Sequence, residues 1–426
     1  MIPVISAVLF LLALMRLPIF VVLLAASILG FYAQDIPFSI IAAEIYRLTD
    51  TPLLVALPLF SLAGYLLAQS GTPNRLVQIT ATLFGWMPSG LPIVCFFICA
   101  FFTALTGASG VTIVAIGALL YPALLKGGYR KPFSLGLVTT SGSLGLLLVP
   151  SMPLILYGVI VQQMGLSVRF EMNDLFWAGI LPASLMIGLL SAYSIWANRK
   201  HKVAQDRFTP RSIKRVLWDA RWDLPLPFVV LGSIYSGLLA ISEVAAMTAA
   251  YVVFVQLCLY REIPLKALPS IVKDSAIMVG EILLILAVSL ALSNVIIDAE
   301  IPSRLFDVTQ QFIDSKYTFL LVLNLFLLAL GMLLDVFSAL MIIVPLIVPV
   351  ALSYGIHPVH LGIVFLANMQ IGYFTPPVGM NLFIASYRFK EPITVLYQST
   401  LPFFLVMLAS VLIITYVPFL SLAFID

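Results

Sequence analysis

LANMQIGYFTPPVGMNLFIAS, from Leu366 to Ser386, is the stretch whose reading decides the fold. It is apolar enough to cross a bilayer, yet Thr375, Pro376 and Pro377 interrupt it near the middle, where two consecutive residues lack a backbone N–H. Unpaired backbone groups in lipid cost several kcal/mol each, so such a break persists only where protein or a water-filled cavity surrounds it. A broken span therefore marks a candidate site, because half-helix ends and unwound carbonyls at mid-membrane are what hold coupling ions and anionic substrates.

Composition sets the class around that stretch. The 426 residues are 62% hydrophobic and 10% charged, with a mean hydropathy of +1.12, which predicts a polytopic helical membrane protein with room for about ten spans of ~20 residues. A net charge of +3 says nothing about nucleic acid and matters only through where Lys and Arg fall. Cys95, Cys99 and Cys258 lie in apolar runs without metal or redox spacing and read as packing. The N-terminus starts apolar with no basic region before it, which predicts a retained first helix over Ile2 to Tyr32, interrupted at Arg16 to Pro18.

Working outward, Asp35 to Asp50 reads as an interfacial stretch and Thr51 to Ser70 as a plain span. Pro73 to Trp86 is an amphipathic arm, and Leu91 to Leu125 is a re-entrant hairpin candidate whose tip is FTALTGASG, Phe102 to Gly110. The next span, Pro132 to Met164, breaks at Val149 to Pro153. Leu175 to Ala197 is an ordinary span, followed by a basic linker, Asn198 to Asp223. Two spans pivot at Ser242 and Glu243, and a further one runs from Ile277 to Ile297. The chain then repeats itself with an arm at Pro302 to Phe312, a hairpin at Thr318 to Leu352 with Gly331 to Ser338 as its tip, the broken span, and a last span from Leu401 to Phe424.

Residue by residue, Pro73, Arg75, Leu76 and Thr80 recur as Pro302, Arg304, Leu305 and Thr309, while Pro122, Gly128, Gly145 and Pro150 recur as Pro349, Gly355, Gly372 and Pro377. The near-constant offset and the shared order of arm, hairpin and broken span indicate an internal duplication. The turn after the first hairpin carries Lys126, Arg130 and Lys131, whereas its counterpart, Ser353 to His360, carries no Lys or Arg. By the positive-inside rule the two turns face opposite sides, so the repeats are inverted. With the N-terminus taken as inside, this threading puts the linker, Arg75 and Arg388 inside and Arg47, Arg169, Arg304, Lys316 and the C-terminus outside.

Enzyme chemistry has little to work with, since His201, His357 and His360 read as loop residues and no HExxH, GxSxG or P-loop pattern appears. No enzyme is expected, and ATP-driven transport is excluded for this chain alone. The intramembrane acid is Asp335, inside the second tip, costly unless it meets a cation or partner. Glu243 and Glu281 read as structural acids near breaks or membrane ends. Thr106, Gly107, Ser109, Ser141, Ser143, Ser151, Thr375 and Asn381 supply the hydroxyl, amide and freed carbonyl oxygens that a hard cation such as sodium needs, although each also suits close helix packing.

Leu175 to Ala183 (LFWAGILPA), Gly142 to Gly158 (GSLGLLLVPSMPLILYG), Gly331 to Pro349 and Gly372 to Ser386 (GYFTPPVGMNLFIAS) resemble the large membrane subunit of TRAP transporters, the tripartite ATP-independent periplasmic family, over nearly the whole chain. The sequence departs where the family commonly has two prolines before Ser151, here Val149 and Pro150, and where it commonly reads Thr-Pro-Thr-Glu, here Ala240 to Glu243. The resemblance implies a sodium-coupled elevator of inverted repeats. Its partners would be a small four-helix membrane subunit and a soluble periplasmic binding protein, and its cargo an organic carboxylate such as sialic acid, another sugar acid or a C4-dicarboxylate. It implies one sodium near Thr106, Gly107, Ser109, Ser141 and Gly145, a second near Gly331, Asp335, Gly372 and Thr375, and substrate against Pro150, Ser151, Pro376, Pro377 and Asn381. Scaffold is expected over 1–88 and 166–316, with linker 198–223; transport units are expected over 89–165 and 317–390, and a terminal helix over 391–426. The rivals are a solitary sodium-coupled carboxylate carrier, which needs no binding protein, and a channel or structural membrane scaffold, which the symmetric breaks disfavour.

Overall fold

A computed structural model of the protein describes residues 18–84, 89–166, 168, 170–199 and 210–425. The start of the first span with Arg16, and the linker residues Lys200, His201, Lys202 and Arg207, lie outside the described residues. Among the described residues there is no strand, and nine helices are long and apolar enough to cross a membrane. This is the all-α, polytopic architecture that the composition demands, because only helices satisfy every backbone group internally in lipid without closing a barrel.

The duplication is visible in the helix boundaries. The first hairpin descends through Gly90–Thr106, turns at Gly107 and Ala108, and returns from Ser109 through a π turn to Lys126. The second descends through Lys316–Leu333, turns at Leu334 and Asp335, and returns through Val336–Ser353. Thr106 and Leu333, Ala108 and Asp335, and Lys126 and Ser353 stand the same distance apart in sequence. So do Lys131 and Pro358, which open the two broken spans. The first broken span runs Lys131–Ser141, a 3-10 turn Leu144–Leu147, and Met152–Gln163; the second runs Pro358–Gly372 and Met380–Phe389. Each break carries a cis proline at the equivalent bond, Val149-Pro150 and Pro376-Pro377.

Packing between the copies is reciprocal. The returning limb of the first hairpin lies on Met380–Phe389, the far half of the second broken span, and Val336–Ser353 lies on Met152–Gln163, the far half of the first. Such mutual exchange is what a twofold relation produces. Ser143 donates to the carbonyl of its own counterpart, Gln370, at 3.0 Å, so the axis passes between the breaks. Protein, not lipid, surrounds these segments: Lys131–Gln163 is 94% buried in its apolar window, against 33% for the outer limb Lys316–Leu333, and every residue of Pro358–Gly372 is buried.

Several boundaries differ from the sequence reading. The pivot expected at Ser242 and Glu243 falls earlier: Pro225–Ser236 ends on Gly237 at φ +66, and Ile241–Phe254 starts after it. Glu243 lies in the first turn of the new helix and accepts the Ala240 N–H at 2.8 Å. The span expected over Ile277 to Ile297 begins at Leu268, which carries Glu281 well inside a 31-residue helix, Leu268–Asp298, and not near a membrane end. His360 is a buried helical residue and not a loop one, held by Ser421 Oγ at 2.6 Å and the Thr415 carbonyl at 3.2 Å.

Candidate functional site

The two tips face each other across a cavity of about 420 Å³, lined by Gly107 to Val111 from one and Asp335, Phe337 and Ser338 from the other. Tyr373 and Met380 close it from the second break, while Met278, Glu281, Ile282 and Ile285 of Leu268–Asp298 and Tyr65 of Ala56–Gln69 form the opposite wall. That volume suits a small organic ligand. It adjoins a larger space of about 740 Å³ that reaches Gln69, Ser70, Asn74 and Arg388 and shares Tyr65, Gly110, Val111 and Ile384 with it.

At the first tip Gly107 sits at φ +67, a conformation that a side chain would strain. Ser109 donates from its hydroxyl to Asn381 Oδ1 at 2.8 Å, and Asn381 Nδ2 donates to the Thr139 carbonyl at 3.4 Å. One buried amide thus ties the tip to both broken spans. Thr103 donates to the Gly142 carbonyl at 2.8 Å, and Ser141 to the Val138 carbonyl at 3.3 Å. The first hairpin presses on the first break so closely that a Cβ on Gly145 would stand 2.2 Å from the Ala100 carbonyl oxygen.

The second tip repeats this closeness, since a Cβ on Gly372 would stand 2.5 Å from Gly331 Cα. Asp335 caps Val336–Ser353: its Oδ1 accepts from the Phe337 and Ser338 N–H groups at 2.9 and 3.0 Å, and its Oδ2 from the Ser338 hydroxyl at 2.6 Å. The Tyr373 hydroxyl accepts the Val336 N–H at 3.0 Å, and the Gly379 N–H reaches the Met332 carbonyl at 3.1 Å. Thr375 turns its hydroxyl back on the Ile371 carbonyl at 2.8 Å. The donor set is therefore carbonyl, hydroxyl and carboxylate oxygen, the chemistry that suits a hard cation. Among the described residues no group of three or more His, Cys, Asp or Glu is placed to hold a metal ion.

The residues expected to meet substrate are placed unevenly. Ser151 and Pro150 are buried away from the cavity, and Ser151 Oγ has no hydrogen-bond partner. Pro376 and Pro377 are exposed and form no part of the cavity wall; the Pro377 carbonyl accepts the Tyr397 hydroxyl at 2.6 Å. Asn381 is wholly buried behind the first tip. Conversely, Tyr65, Glu281 and Tyr373 line the cavity and were not foreseen in it. Glu281 carried a usable signal, an acid inside an apolar helix; the tyrosines carried none beyond their type.

Outside the membrane core, the first arm, Thr72–Phe84, is locked at Arg75. Its Nε binds Asp223 Oδ2 at 2.5 Å, its Nη1 pairs with Glu262, and the guanidinium lies 3.8 Å from the Tyr260 ring centre. Burial opposes the charge, but the hydrogen bonds to Asp223 and Glu262 outweigh it and hold the guanidinium pKa above its ordinary value.

Twofold-related hairpins and broken helices around a shared cavity define a multi-pass membrane transporter. The profile described as "Tripartite ATP-independent periplasmic transporter, DctM component" matches residues 6–420. The chain is 34% identical over 403 residues to the C4-dicarboxylate TRAP transporter large permease protein DctM of Rhodobacter capsulatus, covering 92% of this chain and 91% of that one. It is 31% identical to the isethionate TRAP transporter permease protein DctMQ of Oleidesulfovibrio alaskensis, across 92% of this chain but 61% of that protein. It is 28% identical to the ectoine/5-hydroxyectoine TRAP transporter large permease protein UehC of Ruegeria pomeroyi, over 87% and 85%. The crystal structure of the Alcanivorax borkumensis YdaH transporter shares the fold, with a TM-score of 0.61 at 14% identity over 89% of this chain and 87% of that one. The chain belongs to the DctM family of TRAP transporter large permeases.

Proposed function

We propose that the chain performs sodium-coupled, secondary active uptake of an organic acid across the bacterial inner membrane, with its N-terminus cytoplasmic and its C-terminus periplasmic. A soluble periplasmic binding protein delivers the cargo, and a small four-helix membrane subunit accompanies the permease. The observation that carries this reading is the meeting of both hairpin tips at one cavity, against a helix, Leu268–Asp298, that belongs to neither repeat. Oxygen ligands at Thr106, Gly107, Ser109, Ser141 and Gly145 would hold one sodium, and those at Gly331, Asp335, Gly372 and Thr375 another. The two hairpins and broken spans then slide as a body past the scaffold, in an elevator motion. Each sodium entering down the membrane potential supplies about 2.3 kcal/mol per 100 mV.

Asp335 also caps a helix, so truncation to Ala confounds two roles. Asp335→Asn separates them, because Asn caps as well as Asp but lacks the charge. In proteoliposomes supplied with binding protein and organic acid, Asp335→Asn is expected to abolish sodium-dependent uptake while the unfolding temperature in detergent stays near that of the parent. Full uptake by this variant would remove Asp335 from the ion site, and undiminished parental uptake without any soluble partner would favour a solitary carrier.

A further inference from the structure

Resting on the uptake reading, the cavity's charges narrow the cargo. Asp335 spends both carboxylate oxygens on three donors of its own tip. Glu281, on the scaffold wall, makes no hydrogen bond or ion pair with any described residue, and no Lys, Arg or His lines the same 420 Å³ space. Arg388 stands in the adjoining space, where its Nε donates to the Val114 carbonyl at 3.3 Å. Two hydroxyls remain to donate. Tyr65 points its O–H at the weak acceptor Met278 Sδ at 3.6 Å, and Tyr373 accepts the Val336 N–H while its own proton has no described acceptor. The wall therefore offers neutral donors at the hydroxyls and one uncommitted negative charge at Glu281. Glu281 is exposed at the cavity wall, and a dicarboxylate held there would set its second carboxylate against that uncompensated charge, a like-charge contact that disfavours it.

We infer that Glu281 is a specificity-determining residue and that the cargo is zwitterionic: an organic acid whose carboxylate meets Tyr65, Tyr373 and the coupling ion while a cationic group pairs with Glu281. The test uses the full-length chain in detergent with sodium, titrated with ectoine and glycine betaine as zwitterionic probes and with succinate as the dianion, reading the shift in unfolding temperature. The expected result is saturable stabilisation by a zwitterion, with succinate at least about tenfold weaker, a gap that Glu281→Gln closes and Glu281→Lys reverses. Succinate binding as tightly as the zwitterions in the parent, zwitterion affinity unchanged in Glu281→Gln, or no response to either zwitterion would overturn the inference. The stabilisation by sodium alone is read separately: its retention leaves sodium-coupled uptake standing when the inference fails, and its loss in the parent strikes the uptake reading itself.

Discussion

Asn381 shows how much a single side chain can hold at the centre of a duplicated membrane protein. It is fully buried, accepts the Ser109 hydroxyl and donates to the Thr139 carbonyl, thereby joining the first tip, the near half of the first broken span and the far half of the second. Each bond crosses between the copies, so neither would form in an isolated repeat. Asn381→Ala leaves the Ser109 hydroxyl without its acceptor, which costs about 1–3 kcal/mol in a buried site. A double-mutant cycle with Ser109→Ala, read by denaturant unfolding in micelles, is expected to give a coupling energy of about 1 kcal/mol, because the second deletion removes a group already orphaned by the first. Strictly additive losses would mean that the 2.8 Å contact contributes nothing. Glu281 and Asp335 make the complementary point: both are acids within apolar sequence, but Asp335 stands at a helix N-cap and is consumed by Phe337 and Ser338 of its own tip, whereas Glu281 lies mid-helix with no such local donors.

Between elements, the governing feature is the close approach of each hairpin to its own broken span. At Gly145 and Gly372 there is no room for a Cβ, because backbone atoms of Ala100, Ala104 and Gly331 already occupy the space. Gly145→Ala and Gly372→Ala each require the hairpin to retreat, at about 1–3 kcal/mol or more. Both variants are expected to lower the unfolding temperature, whereas Gly188→Ala, where nothing stands within 4 Å, is expected to raise it slightly through helix propensity. Equal behaviour at all three positions would contradict the packing. This layer was largely legible in the sequence, since prolines and glycines recur where the backbone must break or approach, and those residue types advertise their own constraint. The hairpin tips, the broken spans and the duplication follow from it. Less legible were the pivot, which Gly237 places before Ser242, and the true start of Leu268–Asp298, because polar residues such as Lys273 and Asp274 are tolerated on an exposed helix end. Of the cavity wall, the tips with Gly107, Ser109 and Asp335 were legible and the tyrosines were not: Tyr65 and Tyr373 face the same space from elements far apart in the chain, and no local period encodes that meeting.

Across the whole molecule, the two halves share a plan but not an energy balance. The arms correspond, with Arg75 in Thr72–Phe84 matched by Arg304 in Ile301–Gln310. Arg75 is half-buried against Asp223, whose side chain is 2% exposed, and is joined there by Glu262, Thr72 and Tyr260. Gln256, from the same segment as Tyr260 and Glu262, adds its amide to Thr72 Oγ1 at 3.0 Å and to Asp223 Oδ1 at 3.3 Å. Arg304 is exposed and has no ion pair among the described residues. Removing Arg75 strands a buried carboxylate, a loss of about 3 kcal/mol or more, whereas removing Arg304 falls within about 0.5 kcal/mol, as for most surface positions. Arg75→Ala is therefore expected to unfold at clearly lower denaturant and Arg304→Ala to match the parent, both measured in the same micelles. If the two losses were equal, the arms would be energetically equivalent. If they differ as stated, the arm bearing Arg75 is anchored by its ion pairs to Asp223 and Glu262, whereas the arm bearing Arg304 is held only by packing against Leu268–Asp298 and Val336–Ser353, so the same element is fixed by charge in one copy and by apolar contact in the other.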